Sequence, residues 1–184
     1  MTGNIGMLAA PFAAFCAVAS MPTQPLFAQQ TAAALPYHGV VEAVVGGSRK
    51  PLERQTVRMR INNGVMQIGS GSMFYELDGA SSPVRFQAGQ ALNFVMRSPG
   101  EGVDPSSIFI LYKAEIKKKK LRRVKISHSS FSQRMTVDMD REAIPLSFEH
   151  KKGGLVELRS QTPLQKGEYV FVSMATNAFA FGVD

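Results

Sequence analysis

Short runs of alternating apolar and polar residues, separated by turn residues, make up the chain from Tyr37 to its C-terminus. The runs recur roughly every 8–12 residues, which is the spacing typical of folds built from antiparallel strands. Outside the N-terminal segment, the apolar residues do not repeat with the 3.6-residue period of a helix. The sequence therefore predicts an all-β fold, an immunoglobulin-like antiparallel β-sandwich, over residues 37–184.

The clearest predicted hairpin spans residues 56–68, where Asn63 and Gly64 separate two alternating runs. Both residues tolerate the positive φ angles of a tight type I′ turn. Closing this turn pairs Asn62 with Val65. Further strands are predicted at residues 73–77, 84–86, 91–96, 108–116, 121–126, 144–148, 155–159, 169–174 and 178–183.

Residues 164–169 have the spacing Leu-x-x-Gly-x-Tyr, which is typical of the tyrosine corner of β-sandwiches. In that motif, a tyrosine at the start of the penultimate strand donates a hydrogen bond to the preceding connection. We therefore assign structural roles to Leu164, Gly167 and Tyr169, as well as to the turn residues Asn63 and Gly64. The alternative is that Tyr169 is an ordinary strand aromatic.

Several segments of the C-terminal half carry a resemblance: DPSS (104–107), ILYK (110–113), IPLSFE (144–149), PLQKGEYVF (163–171) and FGVD (181–184). Together they resemble a group of uncharacterised exported bacterial β-sandwich proteins. Members of that group end in a GEY…FG[VI]D pattern and often carry a lysine-containing hairpin before it. The resemblance covers residues 78–184. It implies an exported β-sandwich and assigns no catalytic or binding residue.

The first 41 residues contain no Lys, Arg, Asp or Glu. Residues 5–18 are apolar apart from Gly and Pro, a length typical of a signal-peptide core and short for a membrane span. The pattern predicts a signal peptide over residues 1–28 and a disordered linker over residues 29–36. Cleavage after Ala19 is the alternative to cleavage after Ala28. We therefore expect export to the periplasm or the extracellular space.

Cys16 is the only cysteine, so no intramolecular disulfide is possible. Lipidation of Cys16 is an alternative to simple cleavage, but the bulky Phe15 occupies the preceding position, where a small residue is needed. Cleavage at either predicted site leaves a mature protein without cysteine, which suits an oxidising compartment.

The basic residues are concentrated in one predicted hairpin, residues 113–125. It holds eight of the 21 Lys and Arg residues and one of the 14 Asp and Glu residues, so the rest of the chain carries 13 of each sign. Crowded like charges repel by about 1 kcal/mol per close pair even in water, so the tip must be exposed. The candidate anion-binding residues are Lys117, Lys118, Lys119, Lys120, Arg122, Arg123 and Lys125.

This hairpin has two possible roles. A dense cationic surface attracts acidic polysaccharide, lipopolysaccharide or anionic lipid. Alternatively, the lysines only protect a strand edge against aggregation. Nucleic acid is a disfavoured partner, because no aromatic residues interleave the lysines to stack on bases and because export would separate the protein from it.

Other polar groupings carry weaker signals. The acidic residues of the segment TVDMDRE lack the glycine and the bidentate glutamate of a calcium loop, so a solvated acidic face is the preferred interpretation of Asp138, Asp140 and Glu142. The three histidines have no metal-ligand spacing, and we predict neither a metal site nor a cofactor. The Gly69–Ser72 segment lacks the spacing of a phosphate loop, and Ser129 beside His128 lacks a nucleophile elbow.

These signals together predict a non-catalytic exported module with a structural or interaction role in the cell envelope or a secreted assembly. Its expected partner is an envelope protein that docks through a sheet face or edge. The alternative function is an anion-binding module that uses the hairpin at residues 113–125. A hydrolase is the remaining alternative, and no oligomeric state is predicted.

Overall fold

The computed structural model describes Thr2 and residues 37–62, 72–100, 102–128, 142–173 and 177–184. The chain divides into two units, Met1–Thr31 and Ala32–Asp184, and the strands below belong to the second. The predicted signal peptide and linker, the turn residues Asn63 and Gly64, and the acidic residues Asp138 and Asp140 lie outside the described residues. The described part of the chain contains no helix long and apolar enough to cross a membrane.

The described residues form strands joined by short connections, with one 3₁₀ helix, Pro105–Ser107, before β8. Most of the predicted strands are found to within one or two residues, and three strands before residue 57 were not predicted. The strands are β1 (Val41–Val45), β2 (Ser48–Pro51), β3 (Glu53–Thr56), β4 (Arg58–Asn62), β5 (Ser72–Asp78), β6 (Arg85–Phe86), β7 (Asn93–Arg97), β8 (Phe109–Lys117), β9 (Leu121–His128), β10 (Ala143–Ile144), β11 (Leu146–Lys151), β12 (Leu155–Ser160), β13 (Gly167–Ser173) and β14 (Asn177–Val183).

Two sheets pack against each other, so the predicted antiparallel β-sandwich is confirmed. The smaller sheet has the strand order β11-β12-β7-β1-β2. The larger sheet has the order β3-β14-β13-β8-β9-β5-β4, with β10 beside β8 and β6 beside β14. Neighbouring strands run antiparallel, except that β6 is parallel to β14.

Aromatic side chains fill the space between the two sheets. The ring centroid of Phe94, on β7 of the smaller sheet, lies 4.8 Å from that of Phe171 and 5.1 Å from that of Phe181, both on the larger sheet. Phe109 and Phe179 extend this cluster, with an edge-to-face contact at 5.7 Å. Such pairs contribute about 0.5–1.5 kcal/mol beyond the burial of their area. This interface is the main core of the domain.

A second core lies on the opposite face of the larger sheet. There, Val170 of β13 and Ala180 of β14 belong to one buried cluster with Leu77 of β5 and Val124 of β9. The larger sheet therefore bends, so that β5 and β9 cover the outer face of its central strands. β13 and β14 are buried on both faces, which explains their nearly continuous apolar sequences, YVFV and AFAFGV.

Two predicted features differ in the structure. The strand predicted at residues 144–148 is divided at Pro145, because β10 pairs with β8 in the larger sheet and β11 pairs with β12 in the smaller one. The chain therefore crosses between the sheets at a residue that cannot donate a ladder hydrogen bond. In the region of the predicted hairpin at residues 56–68, β4 pairs with β5 and Asn62 lies opposite Ser72. The partner predicted for Asn62, Val65, lies outside the described residues.

Candidate anion-binding surface

β8 and β9 form the predicted basic hairpin, in which Lys117 lies opposite Leu121. The Lys120 amide donates a hydrogen bond of 3.0 Å to the Lys117 carbonyl and closes the turn. Lys118 and Lys119 have φ angles of 50° and 53°, a left-handed conformation that costs a residue with a Cβ about 1 kcal/mol or more. All four lysines of the turn are exposed, as the charge density predicted.

The outward side of β4, β5, β9 and β8 continues the basic surface of the turn. Arg58 on β4 lies opposite Glu76 on β5, and Glu76 in turn lies opposite Arg123 on β9. In the next row, Arg60 lies opposite Phe74 of β5, and Phe74 lies opposite Lys125 of β9. Residues directly opposite each other in a sheet share a face. We call the following set the basic face: Arg58, Arg60, Lys117, Lys118, Lys119, Lys120, Arg123 and Lys125.

Acidic partners neutralise only part of the basic face. Arg58 forms a two-point ion pair with Asp78, with one nitrogen–oxygen distance of 2.9 Å. Arg123 lies 3.7 Å from Glu115. Within the described residues, Arg60, Lys125 and the turn lysines have no ion-pair partner. The net positive charge of the face is therefore concentrated at the turn and along the Arg60 row.

Arg123 is less available than its neighbours because its guanidinium group lies over the ring of Phe74, 4.0 Å from the centroid. Only 14% of the Arg123 side chain is exposed. Its Nε atom is buried without a hydrogen-bond partner. The contact covers the apolar side chain at the centre of the face, so Arg123 contributes less to anion binding than the exposed turn lysines.

Arg122 is a correction to the predicted anion-binding set, because its side chain is fully buried. Its Nη1 and Nη2 atoms donate hydrogen bonds of 2.7 and 2.9 Å to the two carboxylate oxygens of Glu53 on β3. It also donates to the carbonyl oxygens of Asp78, at 2.8 Å, and Gly79, at 3.2 Å. Arg122 shares the inward side of β9 with Val124, so it stabilises the interior and does not reach an external ligand.

A second arginine extends this internal ion-pair network to the end of the chain. Arg85 on β6 pairs with Glu168 of β13 and with Asp184, the last residue. Glu168 accepts a hydrogen bond of 2.8 Å from the Ser82 amide and lies 3.8 Å from Arg122. The network thus connects the bent sheet, the loop before β6 and the C-terminus. Its residues lie far apart in the sequence, so the pattern of the chain does not predict it.

Two carboxyl groups of this network, those of Glu53 and Asp184, are held ionised by their partners. Burial alone would raise the pKa of Glu53, but hydrogen bonds from Arg122 and Ser82 outweigh it and lower that pKa below its ordinary value. Hydrogen bonding to Arg85 lowers the pKa of Asp184. The same contact, with Glu168, raises the pKa of Arg85. These groups therefore stay charged at neutral pH.

The tyrosine-corner hydrogen bond is confirmed. The hydroxyl group of Tyr169 donates a hydrogen bond of 2.6 Å to the carbonyl oxygen of Gln165. Burial raises the pKa of Tyr169. Gly167 has a φ angle of 154°, a backbone conformation that favours glycine. Leu164 packs against the main core, and β14 lies beside β13.

The remaining candidates do not form a site together. His38 precedes β1 and His150 lies on β11, and both are exposed. Glu142 is exposed beside β10. The residues that the structure describes contain no group of three His, Cys, Asp or Glu side chains that could hold a metal ion. Glu76 and Asp78 lie on the same side of β5 as the basic face, but Glu76 is buried and Asp78 pairs with Arg58.

A groove of about 450 Å³ opens at one end of the smaller sheet, between the connection before β7 and the one after β12. Its charged side chain is Arg159, which pairs with Glu157 at 2.7 Å. The amide side chain of Gln161 donates a hydrogen bond to the Leu146 carbonyl at 3.3 Å. These polar groups thus bind their own neighbours, and the basic face remains the stronger candidate.

No protein-family model, curated protein or solved structure matches this chain.

Proposed function

We propose that this chain is a non-catalytic exported module of the cell envelope or of a secreted assembly, and that its basic face binds a surface or polymer with closely spaced negative charges. Acidic polysaccharide, lipopolysaccharide and anionic lipid share this chemistry. The observation that supports the proposal most strongly is the arrangement of the exposed turn lysines, Arg60 and Lys125 on the outward side of one sheet.

The spacing of these charges favours a polyanion over a single small anion. Neighbouring strands lie about 4.8 Å apart, so β4 and β9, which flank β5, are separated by about 10 Å. That distance is close to the Debye length at physiological salt, which means that the positive charges act together on a ligand that spans them. An open sheet surface has no enclosed pocket for a single small anion. It does present a row of basic side chains that a polymer with repeating negative charges can contact.

The turn supplies a second argument. Asn and Gly are the residues that best adopt the left-handed conformation of a type I′ turn. Here two lysines, Lys118 and Lys119, adopt it instead. The chain thus tolerates both conformational strain and charge repulsion at its most exposed tip, and backbone strain of this kind clusters at functional sites. Anion binding accounts for the lysines at this turn, whereas edge protection concerns edge strands, and β8 and β9 lie inside the strand order of the larger sheet.

Nucleic acid is not the proposed ligand. Single-stranded nucleic acids bind to exposed aromatic side chains on which the bases stack. Phe74, the aromatic side chain on this face among the described residues, is buried beneath Arg123. The face therefore offers charge to a polymer without offering an open ring to a base.

The proposal includes export and an immunoglobulin-like class of sandwich. The charge-free first 41 residues support export. The hydrogen bond from Tyr169 to Gln165 supports the immunoglobulin-like class, because the tyrosine corner recurs in that class. The resemblance of residues 78–184 to exported bacterial β-sandwich proteins also supports export. N-terminal sequencing of the protein recovered from its host tests export directly, since we expect the mature chain to begin at Gln29.

The binding proposal is tested by retention on immobilised heparin and by sedimentation with vesicles that contain phosphatidylglycerol. We expect binding to both that weakens steeply as salt rises, because counterions compete for the same charges. Vesicles of phosphatidylcholine alone should not bind the protein. Preference for heparin over the anionic vesicles would identify a polysaccharide ligand, and the reverse would identify a membrane surface.

A pair of matched variants separates the basic face from the overall charge. Lys118→Gln with Lys119→Gln removes two charges from the turn, and Lys152→Gln with Lys166→Gln removes two exposed charges elsewhere. We expect the first variant to elute from heparin at clearly lower salt, and the second to elute close to the unmodified protein. Equal elution of the two variants would contradict the proposed function.

A further inference from the structure

The free edge of β4 is a second surface for which the anion-binding proposal gives no role. β4 lies at the end of the strand order of the larger sheet, and within the described residues β5 is its paired neighbour. All five residues of β4 are exposed. A strand in this position presents a row of backbone N–H and C=O groups that another extended chain can bind.

The side chains of β4 differ between its two faces. Arg58 and Arg60 belong to the basic face. Met59 and Ile61 lie on the opposite face, where 60% and 47% of their surfaces are exposed. Large apolar side chains are rarely exposed side by side on an edge strand, because such an edge aggregates with other chains unless a partner covers it.

The alternation on β4 defines the chemistry of the strand that would cover it. A strand added to the sheet places each side chain directly opposite one of β4, on the same face and with Cβ atoms about 5 Å apart. Acidic residues of the added strand would then lie opposite Arg58 and Arg60, and apolar residues opposite Met59 and Ile61. Arg60 has no ion-pair partner among the described residues, so it is available for such a contact.

We propose that β4 binds an extended segment of a partner protein in which acidic and apolar residues alternate, and that this segment adds to the larger sheet as an extra strand. This inference goes beyond the binding of a polyanion, because it requires backbone pairing and apolar contacts as well as charge. The protein recognises the alternation of the partner strand. Acidic side chains on one face of that strand complement the arginines of β4, and apolar side chains on its other face contact Met59 and Ile61.

A second copy of this chain does not fit the same edge. Two copies of β4 paired antiparallel along their full length about a two-fold axis keep their faces on the same sides, so Arg60 would lie opposite the Arg60 of the other copy, and Arg58 would lie opposite Asn62. Like charges directly opposite each other destabilise a sheet. Arg60 therefore acts against self-association, while both arginines of β4 favour an acidic strand.

The experiment measures the binding of a fluorescent peptide of about six residues in which Glu and Val alternate, a typical strand length. Fluorescence anisotropy gives its affinity for the full chain. A control peptide contains the same residues in two blocks, first Glu and then Val, so that its charge and composition are unchanged. We expect the alternating peptide to bind at least about tenfold more tightly. N-methylation of alternate backbone nitrogens on the docking edge of the peptide should abolish binding.

Variants of the protein assign the site. Arg60→Glu and Ile61→Asn each change one exposed face of β4, and we expect each to weaken binding of the alternating peptide by about tenfold. The turn variant Lys118→Gln with Lys119→Gln should bind the peptide unchanged, although it elutes from heparin at lower salt. Hydrogen exchange should show that the peptide protects amides of β4.

Several results would overturn the inference. Equal affinity for the block peptide, or full binding of the N-methylated peptide, would mean that the basic face attracts any acidic chain. Loss of peptide binding in the turn variant alone would place the contact at the lysines. A concentration-dependent dimer that Ile61→Asn dissociates would make a second copy the occupant of the edge. None of these results would contradict the binding of heparin or vesicles, which is measured separately.

Discussion

Arg122 and Glu53 form a two-point ion pair across the interior of the bent sheet, although 69 residues separate them in the sequence. Arg122 also donates hydrogen bonds to two carbonyl oxygens in the turn after β5. The contacts use most of the five N–H donors of the guanidinium group. The buried guanidinium group of Arg122 therefore links β9 to β3 and to the end of β5.

We predict that Arg122→Ala destabilises the protein by about 3–5 kcal/mol, because it removes a fully buried guanidinium group and leaves the carboxylate of Glu53 without its two-point partner. Urea unfolding measures the change. The matched control is Arg123→Ala, which removes the adjacent arginine from the outward face and should cost about 1 kcal/mol. Similar losses in the two variants would contradict the structural role assigned to Arg122.

Stability should fall in acid. The pKa values of Glu53 and Asp184 are lower in the folded chain than their ordinary values of 4.5 and 3.8. Each group therefore contributes stability that is complete above its unfolded pKa and is lost as the pH falls through its lower, folded pKa. We expect unfolding free energies that change little between about pH 8 and 5 and decrease below about pH 4.5.

The variant Glu53→Gln tests the origin of this pH dependence. Glutamine keeps the size of the side chain and an acceptor for Arg122, but it does not titrate. The variant should be less stable than the unmodified protein at pH 7, and its stability should decline less steeply in acid. An unchanged slope below pH 4.5 would assign the acid sensitivity to other carboxyl groups.

The features that were predicted correctly depend on short stretches of sequence. The spacing of Leu164, Gly167 and Tyr169 fixes a local hydrogen bond, and it is present. The basic hairpin was also predicted, because alternation on both sides of the lysines defines its strands. Features of this kind involve residues only a few positions apart, so no knowledge of the strand order is needed.

The internal position of Arg122 was missed, although the sequence contains a signal for it. Arg122, Val124 and Ile126 alternate, so all three side chains point to one side of β9, and the two apolar residues mark that side as the interior. Grouping Arg122 with its charged neighbours ignored this alternation. Its partner Glu53 could not be found in the same way, because that contact depends on the bend of the larger sheet.

The contribution of Arg58 and Arg60 to the basic face also required the strand order. These residues precede the lysine turn by about sixty positions, and only the pairing of β4 with β5 and of β5 with β9 places them on one surface. β1 and β2 were not predicted, although this hairpin does not depend on the strand order. Gly46 and Gly47 between them have φ angles of 57° and 80°, and a Gly-Gly pair is a recognised sequence signal of a tight hairpin turn.

Tyr169→Phe tests the tyrosine corner. The substitution keeps the ring, which stacks on Phe181 at 5.4 Å, and removes the hydrogen bond to Gln165. We expect a loss of about 1 kcal/mol in the free energy of unfolding. Tyr75→Phe is the control, because no hydrogen bond is described for the Tyr75 hydroxyl, and it should change stability by less than about 0.5 kcal/mol. Equal effects of the two substitutions would remove the special role of Tyr169.

Replacing Lys118 and Lys119 should raise the stability of the protein and weaken its binding to heparin. Lys118→Asn with Lys119→Gly introduces the residues that best adopt a left-handed turn, so we expect a gain of about 1–2 kcal/mol in urea unfolding. The same variant loses two charges and should elute from heparin at lower salt. Lys118→Gln with Lys119→Gln loses the same charges but keeps the strained backbone, so its elution should match while its stability gain is smaller. If the glutamine variant gains as much stability as the Asn/Gly variant, the native turn is destabilised by charge repulsion between the lysines and not by its left-handed backbone.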